Sequence, residues 1–289
     1  MMKAGRIMLA AASLIAFVGG VVYLSFVHGG YAKGRKEYAA ISDEYTSLLA
    51  ETEDDEENGM ASYREEHRPA VRPQEGAQME EKSIWKVLVA DLPGNAPKRL
   101  KIDWAGLLEK NEDVVGWISI PAAMISYPVV RADDNEYYLH HGIDREYLFA
   151  GCIFMDTFCT PSLTGYNTII YGHNMRDGSM FAGLKEFQSG ETLQSCPYFW
   201  IQTPSSDNLY EISSIHHAAP GSDTYMLRFS DHESYDGWLT EMSGLSAPAT
   251  GVVTQPGDRI VTLSTCTQDS SLRMVVHGKL IYRREREGE

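Results

Sequence analysis

Arg259-Ile260-Val261-Thr262-Leu263-Ser264-Thr265-Cys266 is a run of apolar and β-branched residues that ends on a cysteine, and Arg273 to Tyr282 is a second run of the same character. Six residues, Thr267 to Leu272, separate the two, a length that fits an antiparallel hairpin connection. In such a hairpin Cys266 and Arg273 face each other across the loop. Cysteine is a strong nucleophile as the thiolate, and a neighbouring cation favours that form. The guanidinium suits a second task equally well, donating to a developing oxyanion.

Cysteine acyl transfer also calls for a proton-handling histidine, remote in sequence and near in space. His173 is the candidate. It lies in Asn167-Thr168-Ile169-Ile170-Tyr171-Gly172-His173-Asn174-Met175, where a short apolar strand runs through a glycine into the imidazole and then into the loop Arg176-Asp177-Gly178-Ser179. A histidine just past a strand end sits on a rim. Asn167 to Met175, Asp177 to Phe181, Thr262 to Cys266 and Arg273 together resemble the sortases, most closely class B. The resemblance covers roughly residues 100 to 282, with the three blocks in the family's order of His, Cys and Arg.

Composition narrows the field. A hydrophobic content of 43% is ordinary for a globular chain of 289 residues, and a net charge of −15 argues against a nucleic-acid partner, which needs clustered Lys and Arg. No Gly-rich phosphate loop or paired-cysteine zinc spacing is present. Adjacent histidines in a strand point to opposite faces, so His140-His141 and His216-His217 make poor joint metal ligands. No metal or organic cofactor is expected. Cysteines at 152, 159, 196 and 266 are no disulfide framework, and Cys152 and Cys159 read as reduced, buried side chains, a bridge between them being the alternative.

Met8 to Val27 is a stretch of about twenty uncharged, mostly apolar residues, enough to cross a ~30 Å hydrocarbon layer as a helix. It reads as an uncleaved membrane anchor. The alternative is a secretory signal cleaved near Gly30-Tyr31-Ala32. Lys3 and Arg6 precede the stretch while Lys33, Arg35 and Lys36 follow it, so charge counting does not fix its orientation. The expected organisation is a short cytoplasmic segment (1–7), the anchor (8–27), a helical and acidic juxtamembrane linker (28–80) and a catalytic domain (81–289). Within the linker, Lys36 to Ala50 has helical spacing, and the acidic block Glu51 to Glu57 matches no EF-hand order of ligands.

From Val114 onward the pattern is of short strands bounded by Gly, Pro, Asn and Asp: 114–120, 125–130, 151–156, 168–172, 198–203, 209–217, 259–265 and 273–282. Eight strands in one region indicate a closed barrel or a sandwich. Short helices are expected at Ser83 to Ala90 and, with Asp103 as N-cap, at Trp104 to Asn111. The connection Ala218 to Asp258 is long enough to be a functional lid. Its piece His232 to Ser243 carries Tyr235, Trp238, Leu239 and Met242 on one helical face. The resemblance implies a mainly β fold, the eight-stranded sortase barrel, with flanking N-terminal helices and this helix between strands six and seven.

The resemblance further implies the chemistry. Cys266 attacks an amide carbonyl and holds the acyl group as a thioester, His173 moves the protons, and Arg273 steadies the oxygen. It also implies substrate contacts from Asn135, Leu139, Tyr171, Ser264 and Thr265. The partners it implies are exported proteins with a C-terminal sorting motif of the Asn-Pro-x-Thr-Asn or Asn/Ser-Pro-x-Thr-Gly kind, and an amine acceptor on a peptidoglycan precursor or a pilin lysine. The setting is a Gram-positive membrane with the domain on the extracellular face. A thiol hydrolase using the same three residues is the nearest alternative, and an inactive envelope scaffold a more distant one.

Overall fold

The computed structural model describes residues 2–49, 92–267 and 269–286, with the side chains of the first helix described from Leu14 onward. The helix expected at Ser83 to Ala90, the acidic block and most of the linker lie outside the described residues. The chain opens with one unbroken helix, α1 (Met2–Tyr45). Two short strands follow, β1 (Thr46–Leu48) and β2 (Leu100–Ile102), then α2 (Trp104–Lys110).

The barrel is built from β3 (Val114–Ile120), β4 (Ile125–Val130), β5 (Ile153–Met155), β6 (Asn167–Tyr171), β7 (Tyr198–Gln202), β8 (Ser206–Ala218), β9 (Ile260–Cys266) and β10 (Arg273–Glu285). A short helix, α3 (Gly190–Ser195), precedes β7, and α4 (His232–Gly244) lies between β8 and β9. The sheet closes in the order β10-β8-β7-β3-β4-β5-β6-β9. The eight expected strands are all present, displaced by a few residues at their ends, and closure leaves the sheet without a free edge.

Most neighbours are antiparallel, but β4 pairs with β5 and β6 with β9 in parallel. Inward-facing Val261, Leu263, Met274 and Val276 join the main core with Trp117, Ile118, Ile153, Ile170 and Phe199. Each fully buried large apolar side chain contributes about 1.5–3 kcal/mol. On the outside of β9, α4 sets Tyr235, Trp238, Leu239 and Met242 against Ile260, the face anticipated from their helical spacing. Asp231 starts that helix with a capping box, its carboxylate accepting from the Ser234 N–H at 2.8 Å.

The N-terminal helix departs from expectation at its end. Helical spacing continues to Ala50, yet α1 stops at Tyr45 and Thr46–Leu48 pairs antiparallel with Leu100–Ile102. Thr46 Oγ1 donates to the Ser42 carbonyl at 2.8 Å and the Asp103 N–H to the Tyr45 carbonyl at 2.9 Å, so the last turn is closed by tertiary partners. The helix also lies on the barrel. Tyr38 and Ile41 are buried in the main core, and the Tyr38 hydroxyl donates to the Gly151 carbonyl. In α2, Asp103 caps as expected, accepting from the Gly106 N–H at 3.0 Å.

At the end of the barrel remote from Arg273, Asp207 is sealed from solvent with Arg99. Its carboxylate accepts from Arg99 Nη1 at 3.1 Å and Gln202 Nε2 at 2.8 Å and pairs with Arg284 and Arg286. This cluster ties the segment before β2 to the last turns of β10.

Candidate active site

Parallel pairing of β6 with β9 decides where the chemistry sits. Tyr171 lies beside Ser264, and the Gly172 N–H donates to the Ser264 carbonyl at 3.1 Å. Parallel neighbours leave the sheet at the same end, so His173 and Cys266, each two residues further on, emerge on one rim. Arg273 opens β10 directly opposite Cys266 in the register. The expected facing of thiol and guanidinium is thus present, with Cys266 exposed and Arg273 half-buried.

The loop after β6 is held at several points. Asn174 Nδ2 donates to the Cys266 carbonyl at 2.8 Å, the Phe181 N–H to the His173 carbonyl at 2.9 Å, and the Met180 N–H to the Tyr127 hydroxyl at 3.1 Å. Gly172 is required at its position: a Cβ there would stand 2.5 Å from Ile153 Cδ1 and 2.7 Å from the Phe181 ring. Asp177 accepts from both the backbone and the hydroxyl of Ser179 and forms a 2.6 Å ion pair with Arg35 of α1.

His173 Nε2 lies 2.8 Å from the Leu139 carbonyl, which can only accept. The proton therefore sits on Nε2, and in the neutral ring Nδ1 is the atom able to take one. Burial holds this imidazole below its ordinary pKa, and the neighbouring His140, whose ring stacks on it at 5.7 Å, pushes in the same direction. Neutral His173 is the resting form at neutral pH. Arg273 directs Nη1 to the carbonyls of Ser270 and Leu272 at 2.9 and 3.0 Å. A guanidinium carries five N–H donors, so these contacts orient it without exhausting it.

The other candidates divide. Ser264 shares the Cys266 face of β9, and its hydroxyl is 2.8 Å from the Tyr225 hydroxyl. Tyr171 stacks on Tyr225 with centroids 6.4 Å apart and donates to Asp156 Oδ2 at 3.0 Å. Asn135 reaches the same Oδ2 at 2.8 Å and accepts from the Thr157 N–H. A continuous band, Asn135–Asp156–Tyr171–Tyr225–Ser264, therefore leads to the thiol. Leu139 is half-buried, and the contact it makes with the site is through its carbonyl. Thr265 is not brought to the rim: its side chain points to the face of β9 opposite Cys266 and is 4% exposed.

Asp156 and Tyr225 were not singled out from sequence. Asp156 was visible only as an acid ending an expected strand. Tyr225 lies in the long connection, where no periodicity marks it, and burial raises its pKa, so it serves as a neutral hydroxyl. Among the described residues, no group of three or more His, Cys, Asp or Glu is arranged to hold a metal ion.

His216 and His217 point to opposite faces, as adjacent strand residues must: His216 is buried and His217 exposed. His216 stacks on His277 at 5.1 Å beneath α4 and bonds Ser214 and Thr224, the residue before Tyr225. Burial lowers His216 from 6.5 to about 4, with His217 pushing the same way, and lowers His277 further, with His216 pushing the same way. Unfolded histidines bind protons that the folded pair refuses. The pair's contribution is therefore complete above about pH 6.5 and is lost as pH falls toward 4, by about 3 kcal/mol for His216. The urea midpoint is expected to fall more steeply between pH 7 and pH 4 in the native chain than in His216→Asn; parallel slopes would refute this.

Comparison with known proteins agrees with this geometry. Residues 118–281 match the family model of the sortase domain. Sortase B of Listeria monocytogenes is 36% identical over 180 residues, covering 61% of this chain and 72% of that protein. Sortase B of Staphylococcus aureus is 31% identical over 183 residues, covering 60% and 73%. Among solved structures, sortase B from Bacillus anthracis in complex with AAEK1 superposes with a TM-score of 0.57 at 35% identity, over 61% of this chain and 83% of that one. The Staphylococcus aureus sortase B–substrate complex gives 0.59 at 27% identity, over 62% and 84%. With the closed barrel, the register of its rim and a family match over more than half its length, the chain belongs to the sortase family and, within it, to class B.

Proposed function

We propose that this class B sortase cleaves a C-terminal sorting motif, of the Asn-Pro-x-Thr-Asn or Asn/Ser-Pro-x-Thr-Gly kind, and transfers the new acyl end to a cell-envelope amine. The observation that carries the reading is the pairing of Cys266 with Arg273 in register, with the His173 loop tied to the Cys266 carbonyl through Asn174. In the first half-reaction Cys266 Sγ adds to the motif's carbonyl carbon while neutral His173 takes the thiol proton at Nδ1. Arg273 meets the oxyanion. Collapse breaks the C–N bond, the imidazolium gives its proton to the departing amine, and a thioester remains. In the second half an amine attacks, His173 removes its proton, and the thiol leaves with it. The acceptor is an amine of a peptidoglycan precursor, a pilin lysine being the variant of the same step.

α1 supports an anchored enzyme, with Met8 to Val27 as the span and the barrel on the extracellular face. Its described apolar side chains from Leu14 to Phe26 lie exposed, away from the barrel. Water can replace the amine at an exposed thiol, so transfer and hydrolysis compete. Incubating the protein with a motif peptide and rising diaminopimelyl peptide should shift the product, read by mass spectrometry, from free acid to amide. Free acid alone at every amine level would leave a thiol hydrolase.

A further inference from the structure

Burial on α1 begins where its apolar stretch ends. Side chains from Leu14 to Phe26 are exposed. From there a covered stripe runs through Val27, Gly30, Tyr31, Gly34, Glu37, Tyr38 and Ile41, the spacing of one helical face. The barrel surface it meets first is the segment before β5. A Cβ on Gly30 would be 3.2 Å from Phe149 Cβ, and one on Gly34 3.1 Å from Ala150 Cβ. The Tyr31 ring meets Phe149 edge-on at 5.4 Å, and Lys33 Nζ donates to the Tyr147 carbonyl at 3.3 Å. Between membrane-compatible helix and folded domain there is no spacer.

Heights follow from the helical rise. Gly30 is three residues past Val27, about 4.5 Å along the axis, and Arg35 is eight past, about 12 Å. The headgroup region of one leaflet is roughly 5–7 Å deep, and helix tilt only lowers these heights. Phe149, packed on Gly30 and Tyr31, therefore comes at headgroup depth, and Tyr147, whose carbonyl takes Lys33 about 9 Å past Val27, lies at the outer boundary of that layer. Tyr147 is 56% exposed. A tyrosine with Lys33 beside it is the pairing that settles at a lipid interface, ring among the glycerol groups and cation at the phosphates.

We infer that the segment from His140 to Phe149 docks in the lipid headgroup layer, so that the active-site rim opens at the bilayer surface. The same segment reaches the rim directly. The Leu148 N–H donates to the His140 carbonyl at 2.9 Å, and the His140 ring stacks on His173. One turn higher, Arg35 holds Asp177 of the His173 loop. The carbonyl that Cys266 meets then lies within a short peptide length of a membrane-embedded tail. This inference rests on the reading of α1 as an anchor.

The test uses the full chain in vesicles of phosphatidylglycerol and phosphatidylcholine, the latter brominated on the acyl carbons nearest the glycerol. Tryptophan is placed by Tyr147→Trp, by Phe149→Trp and, as a distant control, by Leu48→Trp. Leu48 is 66% exposed and lies beyond the end of α1, which is about 27 Å past Val27. With the unsubstituted chain subtracted, quenching at 147 and 149 is expected to be at least about twice that at 48, by the depth these heights assign. Equal quenching at all three, with the chain floating with the vesicles after an alkaline wash, would overturn the docking and leave the anchor. Failure to float would overturn the anchor and the docking with it.

Discussion

Cys266→Ala is expected to abolish motif cleavage, by at least about 10³-fold, and to remove the acyl adduct from the protein's mass spectrum. The expectation rests on the fact that no other thiol can take its place. Burial pushes Cys152 up to about 12 and Cys159 up to about 11, so both stay protonated at neutral pH. Their sulfurs are engaged with the Tyr38 hydroxyl and the Ile169 N–H. Cys196 follows α3, away from the rim. Because Cys266 is exposed and ends its strand, its loss should leave the free energy of unfolding within about 0.5 kcal/mol of the parent. Cleavage that survives in the alanine variant would remove Cys266 from the mechanism. A fall in activity accompanied by an equal fall in stability would place its role in folding.

Asp207→Asn is expected to destabilise the fold by about 3–5 kcal/mol while leaving the rate per folded molecule unchanged. Asp207 and Arg99 have side chains only 2% and 1% exposed, and the same carboxylate is shared with Arg284, Arg286 and Gln202. Bringing these charges out of water is costly, and their mutual attraction offsets the cost only while both signs are present. Neutralising Asp207 takes from Arg99, Arg284 and Arg286 the buried charge that all three share. The effect should not reach catalysis. Arg284 is eleven residues along β10 from Arg273, roughly 35 Å at the rise of an extended strand. Urea unfolding measures the first half and motif cleavage the second. A loss below about 1 kcal/mol would mean that the cluster's desolvation already cancels its attraction.

The eight strands were legible because β-branched and apolar runs between glycine, proline and acidic turns carry a local signal, and the hairpin of β9 and β10 carried its own register. The barrel-facing side of α4 was legible for the same reason, through the spacing of Tyr235, Trp238, Leu239 and Met242. Three features were not. Thr46–Leu48 left the helix because Leu100–Ile102 offered it a ladder, a partner more than fifty residues away. Thr265 stands beside Ser264 in the run that carries the resemblance, but the pleat sends their side chains to opposite faces. Asp156 and Tyr225 acquire their meaning only from each other and from Tyr171, once three separate segments converge. Local pattern identifies elements; long-range contacts decide which of their side chains meet.

The parallel seam between β6 and β9 has a consequence for timing. Its two strands are held by contacts such as Thr262 to Asn167, 95 residues apart, and Asn174 to Cys266, 92 apart. Closing so long a loop costs entropy before any contact repays it, so such pairings form late in folding. Until the C-terminal hairpin closes the barrel, Cys266 and the loop that carries His173 stay apart. On the proposed mechanism, thioester formation should therefore report completed closure of the barrel.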